Sequence, residues 1–174
     1  QGGVSAGLKG VGDVGSTVVH VVKQVTITTL KETSEFVSKG IEIPASIVSG
    51  SIAGVADIGE SVIKALKGIV HGAVQGVMES GIESKEAVQG AVTQAMHSAK
   101  ELGIDVGEAA VEAVTGSIDA VKQVGGDTIN ATKDAVMAAL DAAKDISTEA
   151  VTSVKEALGA SVEGARDIIK SIKE

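Results

Sequence analysis

Read every eleven residues, the stretch from Val114 to Lys173 and its flanks fall into columns of constant character. One column is branched and apolar: Ile118, Ile129, Leu140, Val151, Val162. A second is basic: Lys122, Lys133, Lys144, Lys155, Arg166. A third is acidic, with Glu101, Glu112, Asp134, Asp145, Glu156 and Asp167. A fourth is small at every step: Ala109, Ala120, Ala131, Ala142, Ser153, Gly164. Eleven residues in three helical turns is about 3.67 per turn, a period that keeps a stripe in line along a straight or slightly right-handed coil. The columns reach back through Val14, Val25, Phe36, Ile47, Ile58 and Ile69, and through Val19, Leu30, Ile41, Ile52, Ile63 and Val74.

Three segments follow from this pattern. Residues 1–16 are a Gly-rich N-terminal arm. Residues 17–43 are β-branched and by propensity would form a strand, but the eleven-residue columns run through them, and periodicity predicts an amphipathic helix. Residues 44–174 are predicted to be one continuous helix of about 1.5 Å per residue, reaching roughly 200 Å. Pro44, which removes a backbone donor and crowds the preceding turn, predicts a kink or break between Gly40 and Pro44. On a helical wheel the columns through Val121, Val136, Ile118, Val124, Ala139 and Ala131 lie side by side. They form an apolar arc of about half the circumference, wider than the seam of a two-stranded coil. Ser80-Gly81, Gly103 and Gly107 loosen the pattern, and Gly125-Gly126-Asp127-Thr128 reads as a helix stop followed by an N-cap. A bundle of short antiparallel helices would be cut at these places. Because the eleven-residue phase continues across each of them without an insertion, the expectation is one long, all-α helix.

The flanks of the arc differ. One carries Ile52, Ile63, Val74, Ile118, Ile129, Leu140, Val151 and Val162; the other carries Gly54, Ala65, Gly76, Ala87, Ala109, Ala120, Ala131 and Ala142. A bulky ridge bordered by Lys suits a shallow groove bordered by acids, a heterologous match between parallel copies that generates rings or open filaments. Small residues let backbones approach closely, as in Gly50-x-x-x-Gly54 and Gly68-x-x-x-Gly72-x-x-x-Gly76. These two sets are the predicted assembly interface of a parallel homo-oligomeric coiled coil, tube or filament. Acid-first pairs such as Asp119–Lys122, Asp141–Lys144 and Glu163–Arg166 add a few tenths of a kcal/mol each on the solvated face.

Composition sharpens this picture. The chain of 174 residues holds one aromatic, Phe36, and no Trp, Tyr or Cys, so burial rests on Val, Ile, Leu and Ala. Sixteen of its 22 glycines lie from Gly40 onward, each costing a helix interior about 1 kcal/mol against Ala, a penalty that helix-to-helix packing must offset. A net charge of −8 without any basic cluster argues against a nucleic-acid partner and, less strongly, against anionic membrane. The longest uncharged run, Ile43 to Ala56, falls short of the ~20 residues that span a bilayer. The first residue is Gln1, not Met, which suggests a processed or trimmed N-terminus and, with the former, an extracellular or surface location.

Candidate chemistry is sparse. Gly10-Val-Gly-Asp-Val-Gly15 spells a dinucleotide fingerprint, but it lacks the preceding strand that such a site requires. His20, His71 and His97 lie on the polar side without a second ligand four residues on, so no metal is expected. No Ser/His/Asp or Cys/His constellation can be assembled, and neither a cofactor nor a small-molecule substrate is expected. Asn130-Ala-Thr132 is a glycosylation sequon on the exposed side.

The repeat resembles that of hendecad helical proteins, the right-handed coiled coils above all, over nearly the whole chain. Val70-His-Gly-Ala-Val-Gln-Gly-Val77 is similar in texture to synuclein repeats, and Lys133 to Lys144 to late-embryogenesis-abundant and perilipin repeats. The synuclein core K-T-K-E-G-V is absent, and the mean hydropathy of +0.29 departs from the very hydrophilic desiccation proteins. The coiled-coil resemblance implies self-assembly; the looser ones imply a helix that forms on a lipid surface. The expected function is accordingly a self-assembling structural protein whose partner is itself, with a membrane or lipid-droplet coat as the alternative, and not an enzyme.

Overall fold

A computed structural model describes residues 21, 23–24, 42–57, 62–81 and 83–172. The Gly-rich arm and most of the 17–43 segment lie outside them; Val21, Lys23 and Gln24 are helical. Among the described residues the elements are all α-helices: α1 Glu42–Asp57, α2 Val62–Glu79, α3 Ser84–Leu102, α4 Val106–Val124, α5 Thr128–Ile146, α6 Thr148–Ser161 and α7 Ala165–Ile172. The all-α expectation holds. The single long helix over 44–174 does not: the chain is a bundle of short helices and doubles back at the glycines.

The physical reason lies in the turns. Gly81, Gly103 and Gly125 adopt φ of 100°, 77° and 92°, a left-handed conformation that glycine reaches without a Cβ penalty. At Gly103 and Gly125 the stop is a Schellman motif. The Ile104 N–H donates to the Ala99 carbonyl at 2.8 Å and Gly103 to Lys100 at 3.1 Å; Gly126 donates to Val121 at 2.8 Å and Gly125 to Lys122 at 3.1 Å. The restart follows at once. The Asp105 carboxylate accepts from the Gly107 N–H at 3.1 Å, and that of Asp127 from Ile129 and Asn130 at 3.0 and 3.2 Å. These N-caps satisfy donors that the helix start would otherwise orphan. Helices therefore begin at Val62, Ser84, Val106 and Thr128, one start every two repeats. A three-residue turn and a 19-residue helix together occupy the length of two uninterrupted repeats. The phase kept across the glycines is thus equally compatible with a fold-back and with a continuous helix.

Two further joints are tighter or shorter. Ser147, in extended conformation, is both stop and start: its N–H donates to Ala143 at 3.0 Å and its Oγ accepts from Ala150 at 3.0 Å. Gly164, at φ 85°, separates α6 from the eight-residue α7. Pro44 sits in the first turn of α1, where a missing N–H has no intrahelical acceptor to lose.

The helices pack in two rows. α2, α4 and α6 form one, with α2 against α4 the most extensive contact in the molecule; α1, α3, α5 and α7 form the other. Each helix also touches the next along the chain, as short connections dictate. The interior between the rows is aliphatic. Leu66, Ile69, Met96 and Leu158 are its largest fully buried side chains, set among Val and Ala. Small residues bring the backbones together: a Cβ added at Gly116 in α4 would run into the backbone carbonyl oxygen of Lys67 in α2.

Candidate functional site

The residues predicted to join copies lie inside one chain. Gly54, Ala65, Gly76, Ala87, Ala109, Ala120, Ala131 and Ala142 are all buried. Of the branched set, Ile52, Val74, Leu140 and Val162 are buried, and Ile63, Ile118 and Val151 are half-buried. Ile129 differs: it is 80% exposed, because its column reaches the bundle end just where the turn restarts the helix. Helices two apart in sequence, such as α2 and α4, lie side by side, and glycines outside the predicted sets make close backbone approaches between them: Gly116 against Lys67 and His71, and Gly107 of α4 against Ser153 of α6. Among the described residues Leu102, Val124, Ile129 and Met137 are the large exposed apolar side chains. All but Met137 belong to apolar columns and flank a turn.

A polar seam, which the sequence pattern did not single out, crosses the outer side of α2 and α4. Lys67, His71, Gln75 and Glu79 succeed one another at four-residue steps along α2. The Lys67 ammonium lies 3.6 Å from the Asp119 carboxylate on α4. The Gln75 amide donates to Glu79 at 3.0 Å, and Glu79 pairs with Lys23 at 3.3 Å. His71, half-buried, hydrogen-bonds to Gln75. Burial holds its imidazole below the ordinary value of 6.5 against the pull of Asp119 and of the Gln75 hydrogen bond, and Lys67 and Lys23 push it the same way as burial does. The four-residue spacing was visible beforehand; Asp119 was not, because only the fold-back brings α4 to this face.

Each row also carries a surface groove. One of about 390 Å³ runs over α4 between Lys64 on α2 and Ser161 on α6, with Val111 in its floor and Glu108 and Glu112 on its rim. Burial pushes the Glu112 carboxyl up, Lys67 draws it down and Glu108 adds to the rise. The other, about 290 Å³, lies over α3 and is lined by Gln89, Thr93, Gln94 and Asp141. Among the described residues no group of three or more His, Cys, Asp or Glu is placed to hold a metal ion, and no helix is long and apolar enough to cross a membrane. His97 is half-buried on α3; His20 and the Gly10–Gly15 fingerprint lie outside the described residues. The sequon is engaged in the first turn of α5: Asn130 donates to Asp127 at 2.9 Å and the Thr132 hydroxyl to the Thr128 carbonyl at 2.8 Å. Among the described residues the Ser117 hydroxyl, 0% exposed, has no hydrogen-bond partner.

No protein-family model matches the chain, and no curated protein matches it either.

Proposed function

We propose that this protein is a structural, non-catalytic scaffold: a self-contained stack of one-helix units that holds its two outer faces in fixed relation. The observation that carries this reading is the burial of the small column from Gly54 to Ala142 within one chain. The strongest regularity in the sequence serves to pack helix on helix, and the side chains left outside form a solvated, mixed-charge surface. Assembly into a fibre, tube or barrel through the column from Gly54 to Ala142 would have to displace the chain's own helices, which cover it.

Light scattering across a wide concentration range, with negative-stain imaging of the same samples, tests this. A helical particle of one chain mass is expected throughout. Ordered fibres or tubes would overturn the proposal and return the column to contacts between copies.

A second reading, a lipid-surface coat, draws support from Leu102, Val124 and Ile129, apolar side chains left exposed beside the turns, since exposed apolar side chains bury into the headgroup boundary of a bilayer. Flotation with zwitterionic vesicles separates the two. The scaffold stays in the aqueous fraction with its helical circular dichroism unchanged. A coat floats, and loses flotation when those three residues become Ser.

A further inference from the structure

The seam on α2 and α4 places one titratable group where an added proton has no counter-ion of its own. His71 stands on α2 at the closest approach of the two helices: a Cβ on Gly116 would lie 3.3 Å from the His71 backbone nitrogen. The residue at that contact is half-buried, between Lys67 and Gln75 along α2. Among the described residues the charged groups that act on it are Asp119 from α4, Lys67 from α2 itself and Lys23 from the N-terminal helical residues. The single carboxylate of that set already faces the Lys67 ammonium at 3.6 Å. The carboxylate farther along α2, Glu79, is shared between Lys23 and Gln75.

We propose that His71 is an acid-sensitive latch, whose protonation loosens the α2–α4 corner and the Lys23 tie while the rest of the bundle stays packed. The imidazolium would be a third cation beside Lys67 and Lys23, facing one carboxylate that is already engaged. Desolvation acts in the same direction. A histidine held below its ordinary value in the folded chain gives up stability as pH falls through about 6.5 toward the folded value, and regains it above. The carboxyls that burial pushes up, Glu112 and Asp134, act with the opposite sign, because acid relieves the cost of their buried charge. A loss of stability between pH 7.5 and 5.5 therefore cannot come from them.

The test uses the full chain, with thermal melts by circular dichroism and amide hydrogen exchange at pH 7.5 and 5.5, the latter corrected for intrinsic rates. The wild type is expected to show a several-fold rise in opening of amides within 67–79 and 112–119 at the lower pH, with amides of α5 changing little. His71→Gln should abolish that rise; His20 and His97 remain in the variant, so it reports on His71 by itself. Lys67→Met, at an exposed position, frees Asp119 for the imidazolium and should shrink the rise even if the glutamine variant fails to fold. A flat wild-type response, an undiminished rise in His71→Gln, or a larger rise in Lys67→Met would each overturn the latch.

Discussion

A single missing methyl group decides how closely α2 and α4 sit. Gly116→Ala would drive a Cβ into the Lys67 backbone, and backbone cannot rotate aside, so the helices must part. We expect a loss of about 1–3 kcal/mol despite the gain in helix propensity, read as a fall in melting temperature. Gly159, inside α6, is the control: a Cβ there meets only the Arg166 Nε at 3.9 Å, an ordinary contact. Gly159→Ala should stabilise by up to about 1 kcal/mol. The Glu112 carboxyl gives a pH signature. Its folded value is raised above the ordinary 4.5, so its contribution is favourable below the unfolded value and is lost as pH rises through the folded one. Glu112→Gln should thus raise the melting temperature at pH 7 and make no difference below about pH 4. At this scale the sequence was partly legible. Small and branched columns marked buried positions well, because helix faces are fixed by local periodicity. Which glycine is indispensable was not, because it depends on a backbone that sequence distance conceals.

Each helix is a unit with its own stop and start. Asp105 and Asp127 occupy equivalent places in successive units and cap their helices. Glu83, at the corresponding place before α3, makes no side-chain cap bond; its longer side chain is a poorer match to the N-cap geometry than that of Asp or Ser. Asp127→Ala should therefore cost about 1 kcal/mol and Glu83→Asp should add up to about that much, both measurable by denaturant titration. The Gly125-Gly126-Asp127-Thr128 stop-and-start was readable, and the structure uses it. What misled was the phase. A turn that fills the length missing from two repeats leaves every column aligned, so periodicity alone does not distinguish a long rod from a folded stack. The energies of Schellman turns and N-caps make that choice.

At the scale of the whole molecule, stability is not spread evenly. α2 and α4 bury long runs of side chains, whereas α6 buries Ala150, Val154 and Leu158. In stacked arrays each unit leans on its neighbours, and terminal units fray first. Hydrogen exchange should find amides of 148–172 the least protected and those of the α2–α4 contact the most; uniform protection would contradict the row arrangement. The two grooves, and the meeting of the His71 row with Asp119 of α4, belong to this scale. They form from residues far apart along the chain, and no column announced them. The rows also carry a consequence in arithmetic. Because every unit supplies one helix and successive helices alternate sides, membership of a row is a matter of odd and even. Excising residues 84–127 removes a pair and returns α5 to the side it already occupies. Excising 84–105 removes a singleton and sends every later helix to the wrong side, with its greasy face turned to the wrong neighbours. The shorter deletion should melt without cooperativity and the longer one should keep it: for this chain, losing more is safer than losing less.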